Sequence, residues 1–120
     1  MLRGVRGATT VEQNDKDEIL EATEKLLQEV IDQNNVLPDR VASIQFTMTS
    51  DLNAVFPAEA VRALDGWMHV PLLCSSEIPV DGALSSCIRI LMMIDTDLNQ
   101  DEIQHVYLEK AVALRPDLVS

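Results

Sequence analysis

Arg89 stands inside "CIRILMMIDT", a run that is otherwise almost wholly apolar. A guanidinium among Ile, Leu and Met is costly unless it is paired or binds an anion. Its planar fork suits two-point capture of a carboxylate. The alternative is an arginine that reaches a sheet edge or joins an intersubunit salt bridge. The pattern leaves both open. Arg6 in "RGVRGATTVE", Arg62 in "FPAEAVRAL" and Arg115 in the tail draw notice for the same reason, because the chain has nine Lys and Arg against twenty Asp and Glu. Glu77, in "CSSEIP", taken alone reads as a loop carboxylate. Tyr107, the single tyrosine, taken alone reads as a half-buried sheet residue.

Other chemistries find little support. His69 and His105 are far apart, and Cys74 and Cys87 form no CxxC pair, so no zinc-ligand spacing exists. "RGVRG" is not followed by the Lys-Ser or Lys-Thr of a phosphate loop. No serine or cysteine sits on a recognisable nucleophile elbow. The reading is therefore of no metal and no cofactor. A net charge of −11 argues against nucleic acid and against an anionic membrane surface. It leaves room for a small anionic ligand where the few cations gather. No apolar run approaches the roughly 18–20 residues of a membrane span, and no signal-peptide pattern opens the chain. The expectation is a cytoplasmic protein with reduced thiols rather than a Cys74–Cys87 disulfide.

These residues need a scaffold, and 120 residues suffice for a single domain, 1–120. "LRGVRG" (2–7) reads as a first strand, with Gly4 and Gly7 marking a close approach or a bulge. Ile19, Leu20, Thr23, Leu26, Leu27, Val30 and Ile31 form a helical stripe. Asn14 or Asp15 caps that helix, which ends near Asn34–Asn35. In "VASIQFTMTS" (41–50), Ala42, Ile44, Phe46 and Met48 alternate with Val41, Ser43, Gln45 and Thr47, giving an apolar and a more polar strand face. A short helix follows Pro57, buries Val61 and Leu64, and stops at Gly66. Pro71 and Pro79 make 68–82 an edge or interrupted strand region. Residues 86–96 form the strongest strand. Both its faces are apolar, so it should be central and covered on both sides. The tail contains a helical turn near Asp101–Ile103, and "HVYLEKAVALR" fits neither period. The sum is an α/β (α+β) protein with a mixed sheet of about five strands, one long and one short helix.

Five collinear segments together resemble the small, monofunctional chorismate mutases of the trimeric pseudo-α/β-barrel class. They are "RGVRGATTVE", "SDLNAVFPAEAVR", "GWMHVPLLCSSEIPV", "CIRILMMIDTD" and "QDEIQHVYLEKAVALRPDL". The resemblance implies an isomerase that converts chorismate to prephenate by an intramolecular [3,3] Claisen rearrangement, in the pathway to phenylalanine and tyrosine. Such a reaction needs no nucleophile, metal or cofactor. It implies that Arg89 donates to the ether oxygen and reaches a substrate carboxylate, that Arg6 binds a carboxylate, and that Tyr107 hydrogen-bonds one. Glu77 would lie near the ring hydroxyl, with Cys74 beside it. Phe56, Ala58, Leu72, Leu73 and Leu114 would be pocket walls, and Arg62 and Arg115 mouth residues. It further implies a homotrimer whose sites lie between subunits, with Phe56 through Glu77 from one chain and Arg6, Arg89, Tyr107 and Leu114 from its neighbour.

Two positions depart from the resemblance. Glu59 stands where some relatives have a lysine, and Leu73 where some have a threonine. A rival of another class is a non-catalytic trimer that binds a small carboxylate metabolite on the same architecture. In a purely structural reading, the arginines would be interface salt bridges.

Overall fold

The computed structural model describes residues 1–115; Pro116 to Ser120, and with them the end of the C-terminal motif, lie outside the described residues. Five strands form one sheet: β1 (Leu2–Thr10), β2 (Val41–Met48), β3 (Leu72–Ser76), β4 (Cys87–Asp95) and β5 (Val106–Tyr107). Their spatial order is β3-β2-β4-β1-β5. β4 is antiparallel to both neighbours, and the outer pairs β2–β3 and β1–β5 are parallel. The strand richest in apolar residues is thus the central one. β3 lies at an edge, between Pro71 and Pro79, as the missing proline donors require.

One long helix, α1 (Lys16–Asn34), packs across one face of the sheet. Asp15 caps it by accepting from the Glu18 amide at 3.0 Å. It ends where Asn35 adopts a left-handed conformation at φ 51°. Ile19, Leu26, Leu27 and Val30 are fully buried. Leu26, Leu27 and Val30 meet Val5 of β1, Ile44 and Phe46 of β2, and Ile90 and Met92 of β4 in the main core, while Ile19 packs with Val11, Leu52 and Ile88 in a second cluster. Gly7 keeps that packing close: a Cβ there would lie 3.0 Å from Ile90 Cγ1 and 3.1 Å from Leu26 Cδ1.

Four sequence expectations change. β1 runs on to Thr10 rather than stopping at Gly7, because its full length pairs with β4. In β2 a bulge falls between Val41 and Ser43. It shifts the alternation by one, burying Val41 and exposing Ala42 instead of the reverse. The short helix is a 3-10 turn, Pro57–Ala63; Val61 in it is buried, but Leu64, just past its end, is only half-buried. Lastly, β4 is not covered on both sides within one chain. The second face is sealed at one end by Ala111, Leu84 and Leu114 against Ala8 and Cys87. Towards the other end Leu2 and Leu91 stay exposed. The tail resolves into β5 flanked by two 3-10 turns, Gln100–Glu102 and Glu109–Leu114, which is why it fitted neither period.

Candidate active site

Strand register determines which side chains share a face, because directly paired residues point the same way. Across the sheet the pairs run Ser75–Thr47–Arg89–Ala8–Tyr107. That row lies on the face opposite α1. Arg6 is two residues along β1 from Ala8, so it shares the face, in a row with Leu91, Gln45 and Leu73. Tyr107 and Leu114 both pack against the sealed end.

Glu77 lies one residue beyond β3. Its amide donates to Met48 O at 2.9 Å, which turns the chain alongside β2. Its Oε1 accepts from Thr47 Oγ1 and stands 3.5 Å from Arg89 Nε. Arg89 Nε is buried and has no hydrogen-bond partner among the described residues. The Arg89 side chain as a whole remains 41% exposed. A guanidinium is therefore anchored at the centre of the sheet, with part of it open to whatever meets this face. Burial pushes the neighbouring Cys87 thiol up from its ordinary value, against the pull of Arg89. Cys74 and Cys87 are both free thiols.

On the other side of the row, His105 Nδ1 accepts from the Arg6 amide at 2.9 Å. Burial, then the charges of Arg6 and Arg115, hold the imidazole below its usual range. Arg6, Arg115 and Tyr107 thus gather around the β1–β5 edge. Arg3 falls on the opposite face from Arg6 and donates to Leu98 O at 3.2 Å, a structural contact.

The remaining expected residues lie elsewhere. Cys74 pairs with Phe46, and Leu72 with Ile44, so both belong to the α1 side of the sheet. Phe56, Ala58 and Arg62 belong to the Pro57–Ala63 turn and its approach, beside β3. A groove of about 690 Å³ runs along that turn, lined by Ala58, Arg62, Trp67 and Leu72. It does not reach Arg89. Leu73 shares the face of Arg6 but stands three strands away, roughly 14 Å at sheet spacing. One chain thus gathers Arg89, Glu77, Arg6, Tyr107 and Leu114, and carries Phe56, Ala58, Arg62, Leu72 and Cys74 apart from them. Glu77 stands beside Arg89 within one chain, whereas the resemblance implies that the two come from different subunits. Sequence reasoning missed Thr47 and His105; each meets a partner distant in the chain that only the fold brings close.

Residues 2–118 match the family model described as Chorismate mutase type I. This chain belongs to the type I chorismate mutase family. Chorismate mutase AroH of Bacillus subtilis is 52% identical over 118 residues, covering 98% of this chain and 93% of the relative. Chorismate mutase AroH of Thermus thermophilus is 46% identical over 121 residues, covering 100% of this chain and 98% of the relative. A solved chorismate mutase from Clostridium thermocellum superposes with a TM-score of 0.89 at 46% identity, covering 92% of this chain and 97% of the other. The sheet with one long helix is therefore the chorismate mutase type I fold. Among its described residues no helix is long and apolar enough to cross a membrane. None of those residues forms a group of three or more His, Cys, Asp or Glu placed to hold a metal ion.

Proposed function

We propose that residues 1–120 act as one chorismate mutase domain that rearranges chorismate to prephenate, working as a homotrimer in the cytoplasm. The observation that carries the mechanism is Arg89: a guanidinium at the sheet centre whose buried Nε lacks a hydrogen-bond acceptor among the described residues.

The rearrangement is unimolecular, so the protein has two tasks. One is to hold a flexible dianion in its reactive, chair-like shape. The other is to stabilise the charge that separates as the ether C–O bond breaks. Arg89 donates to the ether oxygen, where negative charge builds. Glu77 offers a carboxylate to the ring hydroxyl and faces the electron-poor allylic fragment. Both of its described contacts fall on Oε1, which leaves Oε2 for the substrate. Arg6 and Tyr107 hold the substrate carboxylates, and Leu114 forms a wall beside Tyr107. Arg115 joins Arg6 at the mouth; that the charges of both reach His105 supports this placement.

Phe56, Ala58, Arg62, Leu72, Leu73 and Cys74 then close the site from a neighbouring subunit. Two features support this assembly. The second group cannot converge on Arg89 within one chain, because Cys74 and Leu72 belong to the other face. In addition, the open end of the Arg89 face exposes Leu2 and Leu91, apolar surface suited to a second copy. A non-catalytic carboxylate binder is not favoured, since the relatives that this chain matches are named as chorismate mutases. The test is loss of chorismate absorbance with purified protein and no added metal or cofactor. Turnover far above the uncatalysed rate is expected; turnover at background would overturn the assignment.

A further inference from the structure

Thr47 lies between Ser75 and Arg89 in the central row, and its hydroxyl donates to Glu77 Oε1. The same oxygen stands 3.5 Å from Arg89 Nε. A free carboxylate this near an arginine closes to a charge-assisted pair of about 2.8 Å, commonly with two parallel bonds. Here it stops short. Glu77 is tethered at both ends, its amide to Met48 O at 2.9 Å and its carboxylate to Thr47.

We infer that Thr47 is a positioning residue for the mutase reaction: its hydroxyl holds the Glu77 carboxylate off Arg89, so that the guanidinium keeps its donors for the substrate. The inference rests on the roles proposed for Glu77 and Arg89. Two consequences follow for the chemistry. First, an arginine closed on its own glutamate would present a neutralised pair to the ether oxygen, and the charge that matters most in the transition state would be weakened. Second, a carboxylate pulled to Arg89 would leave the place where the substrate hydroxyl meets it. Neither effect requires Thr47 to touch the substrate. Its β-branched shape suits a strand whatever its function, but a valine would serve packing equally well. The hydroxyl is the part that packing does not explain.

The experiment compares Thr47→Val, Thr47→Ser and Glu77→Ala in the assembled enzyme. Thr47→Val keeps the volume and removes the donor. It is expected to lower kcat by about tenfold or more with little change in KM, because the geometry fails at the reacting bond. Thr47→Ser restores the donor and should recover kcat to within about threefold of wild type. A crystal structure of Thr47→Val should show the Glu77 carboxylate closed on Arg89. If Thr47→Val does not fold, Thr47→Ala reads the same loss. Wild-type kcat in the donorless variant would overturn the proposal, as would equal losses in the valine and serine variants. Wild-type turnover in Glu77→Ala would instead overturn the role of Glu77 itself; a damaged Glu77→Ala beside an intact Thr47→Val overturns only the role of Thr47.

Discussion

Arg89 and Cys74 project from opposite faces of the same sheet. Cys74 is in register with Phe46 and hence with Ile90, while Arg89 is one position along β4 and points the other way. No rotamer brings the two together around one small molecule. If both belong to one substrate site, two chains must build it; the proposed homotrimer does so through head-to-tail interfaces around a closed ring.

Subunit mixing tests that arrangement. Arg89→Ala removes the central donor, and Ala58→Trp fills the wall expected from the neighbour. Each variant on its own should be inactive. Co-refolded at equal amounts, the two should recover about a quarter of wild-type turnover, since a quarter of the interfaces unite two intact halves. Recovery of nothing would mean that both residues serve a site within one chain.

Arg89→Ala alone should cost at least about 3 kcal/mol of transition-state stabilisation, the scale of losing one preorganised donor. The loss should fall on kcat as well as on kcat/KM, because the ether oxygen gains its charge only as the bond breaks. Arg89→Lys should recover part of the loss, since it restores the charge without the planar fork. Steady-state rates of chorismate consumption measure all three enzymes.

His105 gives the fold a pH dependence whose sign is determined. Its imidazole is held below the ordinary value of 6.5 by burial first, and then by Arg6 and Arg115. The unfolded chain therefore takes up the proton before the folded one as pH falls. The stability contributed is complete above pH 6.5 and is lost as pH drops through the folded value. A protonated Nδ1 also ceases to accept from the Arg6 amide, which loosens β1 from the segment leading into β5. Urea midpoints should fall between pH 7 and pH 5 in the wild type. His105→Asn keeps an acceptor near that amide and does not titrate, so its midpoints should fall less over that range.

The elements were legible where one physical signal dominates. The stripe from Ile19 to Ile31 and the cap at Asp15 define α1, and the apolar density of residues 86–96 marks β4 as central. Arg89 stands out as a candidate because its charge contradicts its surroundings. What escaped depends on partners distant in sequence. The bulge at Val41 is a property of the β2–β4 pair, and alternation read along one strand puts the wrong residue inside. Asn34 is 3% exposed at the end of α1, where it exchanges hydrogen bonds with the Gln104 backbone seventy positions away. Read along the chain, it was only a helix terminus. Alternation puts Thr47 on the polar face of its strand, yet its partner Glu77 lies thirty positions away.

Gly7, beside Arg6, depends on such distant partners too. Gly7 faces α1, and a methyl group there would meet Ile90 Cγ1 at 3.0 Å and Leu26 Cδ1 at 3.1 Å. Both atoms belong to buried side chains, so neither yields without displacing others. Gly7→Ala should therefore destabilise the fold by about 1–3 kcal/mol, the cost of overpacking a close-packed core. The usual gain from replacing a glycine within a strand will not offset this. Gly7 also occupies the β1 position next to Ala8, which pairs with Arg89 and Tyr107. A sheet pushed away from α1 at that point shifts the row that carries both side chains. Turnover should fall along with the urea midpoint, and a Gly7→Ala variant with an unchanged midpoint would show that the helix can retreat without cost.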